Sequence, residues 1–82
     1  MSPKQLRTLI SANIRERRKL LHLNQVALAA ACACTQGQIS ALEQGRSGCS
    51  DEMLAKLSQA LHCHPAALLM ESAHAENLKI GA

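Results

Sequence analysis

The stretch Gln25–Gly45, QVALAAACACTQGQISALEQG, predicts two short helices joined by a tight turn. Small and apolar residues recur at the spacing that packs one helix on the other: Leu28, Ala29, Cys32, Cys34, Ile39 and Leu42. Ala29 is expected under the crossing, where a small side chain lets the helices approach. The second helix presents polar or tiny residues and no exposed acid. Amides at its N-terminal end suit the major groove of DNA, where glutamine pairs bidentately with adenine.

Composition and charge agree with this interpretation. The 82 residues suffice for one domain with a small core. Aromatic residues are absent, which argues against a module that stacks unpaired bases. Residues 1–46 carry seven Lys and Arg against two Glu, a net charge of +5, whereas residues 47–82 have a net charge of −2. The basic half therefore contains the two-helix segment, as a phosphate-binding surface requires.

No membrane span is predicted, because no segment reaches about 18 apolar residues, and no signal peptide is predicted, because charged residues interrupt the apolar residues of the N-terminus. We therefore expect a cytoplasmic protein whose four cysteines are reduced thiols.

The patterns along the chain predict five helices and no strands. Ser2, Thr35 and Ser50 are expected N-caps, and Gly45 is a stop signal. The first helix is expected to begin at Ser2-Pro3 and to run to about His22, the second runs from about Gln25 to Cys32, and the third covers residues 36–44. The fourth follows its cap Ser50 and has an apolar stripe that reaches Leu61, and the fifth runs from Pro65 to about Ser72. We expect one domain over residues 1–72, with an extended first helix, and a C-terminal tail over residues 73–82.

The segment from Ile14 to Leu69 resembles the helix-turn-helix family of lambda-type repressors and Cro proteins. The resemblance rests on four pieces in order: IRERRK, LNQVALA, TQGQISALEQG and LAKLSQALHCHPAALL. It implies an all-α, compact five-helix bundle that binds operator DNA as a two-fold dimer. The chain departs from the family at Ala33, where glycine usually occupies the turn, and at Gly37 and Ala41, where long polar side chains are common. We therefore expect some strain in the turn and few direct base contacts.

The resemblance and the local chemistry together suggest roles for single residues. Arg18 and Glu43 are expected to form a structural ion pair between the first helix and the end of the third, while Arg15, Arg17 and Lys19 are expected to be exposed. The expected base-reading positions are Gln36, Gly37, Ser40 and Ala41. The expected phosphate contacts are Asn24, Gln25, Thr35, Gln38 and Arg46, with helix capping an alternative role for Asn24 and Thr35.

Two clusters, Cys32-Ala33-Cys34 and His62-Cys63-His64, contain metal-ligating residue types. Neither has the spacing of a typical zinc site, so no metal or cofactor is expected. The cysteines occupy apolar positions and are interpreted as small core residues, except for Cys49, which is expected to be exposed in a loop.

The sequence thus predicts a transcriptional regulator, not an enzyme. Its expected partner is double-stranded DNA with a pseudo-palindromic operator, bound by a homodimer; a toxin or another protein is a further candidate partner. Phage-type repressor, antitoxin and restriction controller all stay open. The alternatives are a protein-interaction module of the same fold and a metal- or redox-responsive regulator. The dimer surface is expected in the fifth helix and tail (Ala66, Ala67, Leu69, Met70, Leu78, Ile80) or in the first helix (Leu6, Leu9).

Overall fold

The computed structural model of the protein describes residues 1–70, and every regular element in this range is a helix. The elements are α1 (Pro3–Leu20), α2 (Gln25–Ala31), α3 (Gln36–Glu43), α4 (Asp51–Ala60) and a 3₁₀ helix (Pro65–Leu69). The predicted all-α fold class is confirmed. The predicted tail, with Leu78 and Ile80, lies outside the described residues. In the part that is described, no helix has the length and apolar character needed to cross a membrane.

Each α-helix begins at a polar residue whose side chain accepts a hydrogen bond from a backbone N–H three positions later. These N-caps are Ser2, Asn24, Thr35 and Ser50. At two of them the bond is reciprocated, because the side chains of Gln5 and Gln38 accept from the backbone N–H of Ser2 and Thr35. An N-cap typically stabilises a helix by about 1 kcal/mol. These local signals explain why the predicted starts are accurate.

All four α-helices also end in the same way. The residue after each C-cap adopts a left-handed conformation, and the next N–H returns to a carbonyl in the last turn of the helix, as in Leu23 N–H to Arg18 O. The left-handed residues are His22, Ala33, Gly45 and His62. This turn ends α1 at Leu20 and α2 at Ala31, one or two residues before the predicted ends.

The Ala33 turn yields a stability prediction. Ala33 has φ +54°, which a residue with a Cβ adopts at a cost of about 1–2 kcal/mol, and its side chain is exposed. Ala33→Gly is therefore expected to raise the free energy of unfolding by about 1 kcal/mol, after allowing for the greater flexibility of glycine in the unfolded chain. Urea unfolding of the two proteins would measure the change.

The matched control for Ala33→Gly is Ala30→Gly. Ala30 is also exposed but lies within α2, so glycine there is expected to destabilise by about 1 kcal/mol. Equal losses of stability in both variants would contradict the left-handed conformation of Ala33.

One apolar core joins the helices. Ala29, which is 4% exposed, belongs to this core, and α2 and α3 contact each other. The other buried apolar residues are Ile10, Ile14, Leu28, Cys32, Ile39, Leu42, Leu57, Leu61, Cys63, Ala67 and Leu68. Close packing of such small aliphatic and thiol side chains replaces the missing aromatic residues.

The prediction of the fifth helix was wrong in its length. In place of a helix from Pro65 to about Ser72, the chain forms a 3₁₀ helix over Pro65–Leu69. Asn13 on α1 explains the early end, because its Nδ2 group donates to the carbonyls of Leu68 and Met70. Met70 accordingly has an extended backbone, with ψ 163°. The buried side chain of Asn13 therefore binds the carbonyls at the end of this segment, and the helix does not continue through Met70.

The expected exposure of Arg17 was also wrong, since this side chain is only 7% exposed. Its Nη2 donates to the carbonyls of Leu61 and His62, at 2.9 and 3.1 Å, where α4 ends. The guanidinium thus satisfies carbonyls that α4 leaves without an intrahelical partner. This role attaches α1 to the end of α4 and removes Arg17 from any DNA-binding surface.

Candidate nucleic-acid interface

The surface of α3 divides into a buried and an exposed side. Ile39 and Leu42 are buried, whereas Gln36, Gly37 and Gln38 are exposed and Ser40 and Ala41 are half-buried. Nothing lies within 4 Å of a Cβ built on Gly37 except the Thr35 hydroxyl oxygen, at 3.9 Å, so the fold itself does not exclude a side chain there. The four expected base-reading positions therefore share an open, largely uncharged surface.

The one carboxylate of α3 is withdrawn from this surface. Glu43 is 3% exposed, and its two oxygens accept from Arg18 Nε at 2.6 Å and Arg18 Nη2 at 2.9 Å. Arg18 also donates to the carbonyl of Leu23 at 2.8 Å. The expected ion pair is therefore present, and the two-bond geometry is the strong form of an arginine–carboxylate contact.

The protonation of Glu43 depends on opposing effects. Burial favours the neutral acid, but hydrogen bonds from Arg18 and Gln25, together with the charges of Arg18 and Arg15, outweigh burial and lower the pKa of Glu43. The hydrogen bond to Glu43 correspondingly raises the pKa of Arg18. Both groups are therefore charged at neutral pH, and each neutralises the other.

A chain of amides extends from this ion pair to the N-terminal end of α3. Gln25 Nε2 donates to Glu43 Oε1 at 3.1 Å, and Gln25 Oε1 accepts from Gln36 Nε2 at 3.3 Å. A carboxylate only accepts hydrogen bonds, so it fixes the orientation of the Gln25 amide. Gln25 in turn orients Gln36, whose Oε1 and second Nε2 hydrogen have no partner among residues 1–70.

Three expected phosphate residues have capping roles. Asn24 Oδ1 accepts from Ala27 N–H, which leaves its amide donor for another group. The Thr35 backbone N–H and hydroxyl both donate to Gln38 Oε1, so the donors of Thr35 are used within the protein. Within the described part of the chain, Gln38 Nε2 has no acceptor, so its two hydrogens are available to an external group.

A second hydrogen-bonded chain lies at the C-terminal end of α3. Arg46 Nε donates to Gln44 Oε1 at 2.7 Å, and Gln44 Nε2 donates to Ser40 Oγ at 3.0 Å. Sequence analysis singled out Arg46 and Ser40 but missed Gln44. The i, i+4 spacing of Ser40 and Gln44 could have indicated the contact, because such residues share one side of a helix.

The basic residues of α1 do not act alike. Arg15 and Lys19 are exposed, as expected, but Arg15 Nη2 donates to the backbone carbonyl of Glu43 at 3.2 Å. Arg15 therefore stabilises the C-terminal end of α3, where a cation is favoured by the helix dipole. No sequence signal indicates this contact between residues 28 positions apart.

A family model for helix-turn-helix proteins (HTH_3) matches residues 14–68. The chain belongs to the helix-turn-helix family. This assignment agrees with the segment that the sequence singled out, since the match includes all of α2, α3 and α4. No curated protein matches the chain.

Solved helix-turn-helix structures are similar over most of the chain. The clp gene regulator ClgR from C. glutamicum is 35% identical, with 84% of this chain and 90% of that chain covered and a TM-score of 0.77. The P22 c2 repressor in complex with synthetic operator 9T is 37% identical, with 73% and 91% covered and a TM-score of 0.70. The controller protein C.AhdI from Aeromonas hydrophila is 26% identical, with 76% and 94% covered and a TM-score of 0.73.

The cysteines of this helix-turn-helix protein belong mainly to its core. Cys32 and Cys63 are fully buried, and burial raises the pKa of both thiols. The expected exposure of Cys49 was wrong, because Cys49 is half-buried against the core and burial raises its pKa as well. Reactive thiols have a lowered pKa. Within residues 1–70, no group of three or more Cys, His, Asp or Glu side chains is arranged to hold a metal ion.

Proposed function

We infer that the protein is a DNA-binding transcriptional regulator that reads the major groove of double-stranded DNA with the exposed side of α3. The family and the fold are those of transcription regulators, not enzymes. Similar proteins include a gene regulator, a repressor solved with its operator, and a restriction-modification controller. Gln36 and Ser40 supply the base-reading groups. Gly37 and Ala41 let the helix approach the bases closely, with the Ala41 methyl group available to thymine.

The observation that carries this proposal is the removal of negative charge from α3. DNA repels an exposed carboxylate, and the Glu43 carboxylate is buried and paired with Arg18. The same carboxylate orients Gln25 and, through it, Gln36. One buried ion pair therefore both neutralises the surface and positions its first amide.

Phosphate contacts complete the proposed interface. Arg46 supplies the positive charge, and the amides of Asn24, Gln25 and Gln38 supply neutral donors beside α2 and α3. Thr35 contributes through its cap, which orients Gln38. Such contacts set the register on the duplex without carrying sequence information.

We propose a homodimer on a pseudo-palindromic operator. One domain offers few base contacts, and a two-fold dimer doubles them by placing two α3 helices about 34 Å apart. Leu69 and Met70, which are 40% and 36% exposed, support a dimer surface at the 3₁₀ helix. Ala67 cannot take part as expected, because it is fully buried. Leu6 and Leu9 on α1 remain the second candidate surface.

The biological setting is also a proposal. We propose a cytoplasmic location, where a transcriptional regulator would meet DNA. A toxin or another protein is a further candidate partner.

The experiment begins by selecting bound fragments from a random DNA pool. The selected sequence is expected to be a pseudo-palindrome, and footprinting at saturation is expected to protect two half-sites. Arg46→Ala is expected to weaken binding to all sequences alike and to reduce the slope of log affinity against log salt by about one. Lys4→Ala, in the first turn of α1, is the control with an unchanged slope.

Two outcomes would contradict the proposal. Absence of salt-dependent DNA binding would favour the alternative of a protein-interaction module with the same fold. Protection of one asymmetric half-site at saturation would exclude the dimer while leaving DNA binding intact.

A further inference from the structure

The surface chain Ser40–Gln44–Arg46 connects a base-reading position to a phosphate-binding position through one glutamine. Gln44 uses both ends of its amide, because Nε2 donates to Ser40 Oγ and Oε1 accepts from Arg46 Nε. A glutamine side chain can donate from its nitrogen and accept at its oxygen at the same time without carrying charge. Gln44 is exposed, so these bonds are not needed to satisfy a buried group.

The backbone brings the three residues together. Gln44 is the C-cap of α3, and its N–H bonds to the carbonyls of Ser40 and Leu42. Gly45 follows with φ +71°, and Arg46 N–H returns to the carbonyl of Ala41. The backbone of Arg46 is thereby held beside the last turn of α3. The direction of its long side chain is then determined by the bond to Gln44.

The bonds have consequences at both ends. With Nε bound to Gln44, Arg46 keeps its two terminal nitrogens for the two oxygens of a phosphate. A long arginine side chain loses rotamer freedom on binding, and a side chain already held in place loses less. At the other end, Ser40 Oγ accepts from Gln44 Nε2, which uses one of its two acceptor positions and leaves its hydroxyl hydrogen to donate to another group.

We propose that Gln44 is a positioning residue that couples base reading by Ser40 to phosphate binding by Arg46. This inference rests on the proposed function, because both contacts require DNA. Because Ser40 Oγ already accepts from Gln44, we expect Ser40 to donate to an acceptor in the major groove, such as purine N7, guanine O6 or thymine O4.

The test is a double-mutant cycle on the selected operator, with Gln44→Met and Arg46→Ala separately and together. Methionine keeps the length and the helical preference of glutamine but removes both hydrogen bonds. Gln44→Met is expected to weaken operator binding about fivefold in the wild-type background and less than about twofold in the Arg46→Ala background. The matched control is Gln59→Met, an exposed glutamine of α4.

The outcomes separate the two proposals. Additive effects of Gln44→Met and Arg46→Ala would overturn the positioning role while leaving DNA binding intact. Failure of the wild-type protein to select any sequence would overturn the proposed function and this inference together. A changed melting temperature in Gln44→Met, with additive binding effects, would assign Gln44 to stability alone. Loss of preference at one base pair in both Gln44→Met and Ser40→Ala would support the coupling.

Discussion

Arg18→Met is expected to lower the free energy of unfolding by about 3 kcal/mol. The variant keeps an apolar stem but leaves the Glu43 carboxylate, 3% exposed, without its guanidinium partner. Removing one partner of a buried ion pair typically costs about 3–5 kcal/mol, because the other charge stays buried and unpaired. The melting temperature of a domain of this size should fall by roughly 10–25 °C, which calorimetry would measure.

Two variants make this test specific. Lys19→Met changes an exposed neighbour on α1 and is expected to alter stability by less than about 0.5 kcal/mol. Arg18→Met/Glu43→Met removes both charges and is expected to recover much of the loss, since apolar replacement of a whole pair is often close to neutral. An unchanged melting temperature in Arg18→Met would show that the pair adds nothing to the fold.

The loss of unfolding free energy caused by Arg18→Met should also depend on pH. The pKa of Glu43 is lowered in the folded protein, so its contribution to stability is present above the unfolded pKa of about 4.3 and is lost as the pH falls through the folded pKa. In Arg18→Met the buried Glu43 carboxylate has no cationic partner, and protonation of Glu43 removes the free-energy cost of burying its charge. The difference between the two proteins is therefore expected to shrink below about pH 4. A constant difference from pH 7 to pH 3 would contradict this assignment.

Gln36→Ala is expected to abolish discrimination at one A·T base pair in each half-site, an effect of about 1–3 kcal/mol. Bidentate recognition of adenine needs an acceptor for N6 and a donor for N7. Gln36 can supply both groups. Its Nε2 donates one of two hydrogens to Gln25, and its Oε1 has no hydrogen bond within the described residues. Competition between operators that differ at single base pairs would measure the loss.

The matched control for Gln36→Ala is Gln38→Ala. Gln38 lies two residues away on the same helix and is proposed to contact phosphate, so its loss should weaken binding to all operators in similar proportion. If Gln36→Ala retains the operator preference of the wild-type protein, α3 is misassigned as the base-reading helix. Gln25→Ala should reproduce part of the Gln36→Ala effect, since it removes the group that orients the amide.

The sequence by itself determined the four α-helices, their N-caps and the family. N-caps such as Ser2 and Ser50 act on backbone groups three residues away, and the core positions recur at helical spacing. These signals lie within a few residues of one another, so they can be recognised without knowledge of the fold. The Arg18–Glu43 ion pair was also predicted, but only through resemblance to the family.

Only the tertiary structure decided the contacts between distant segments. The bonds from Arg17 to Leu61 and His62 join residues 44 and 45 positions apart, and those from Asn13 to Leu68 and Met70 join residues 55 and 57 positions apart. Such contacts depend on which helix end packs against α1, so no local pattern indicates the carbonyls to which Arg17 and Asn13 donate. The orientation of Gln36 was settled in the same way, because it follows from a carboxylate that α1 and α2 hold in place.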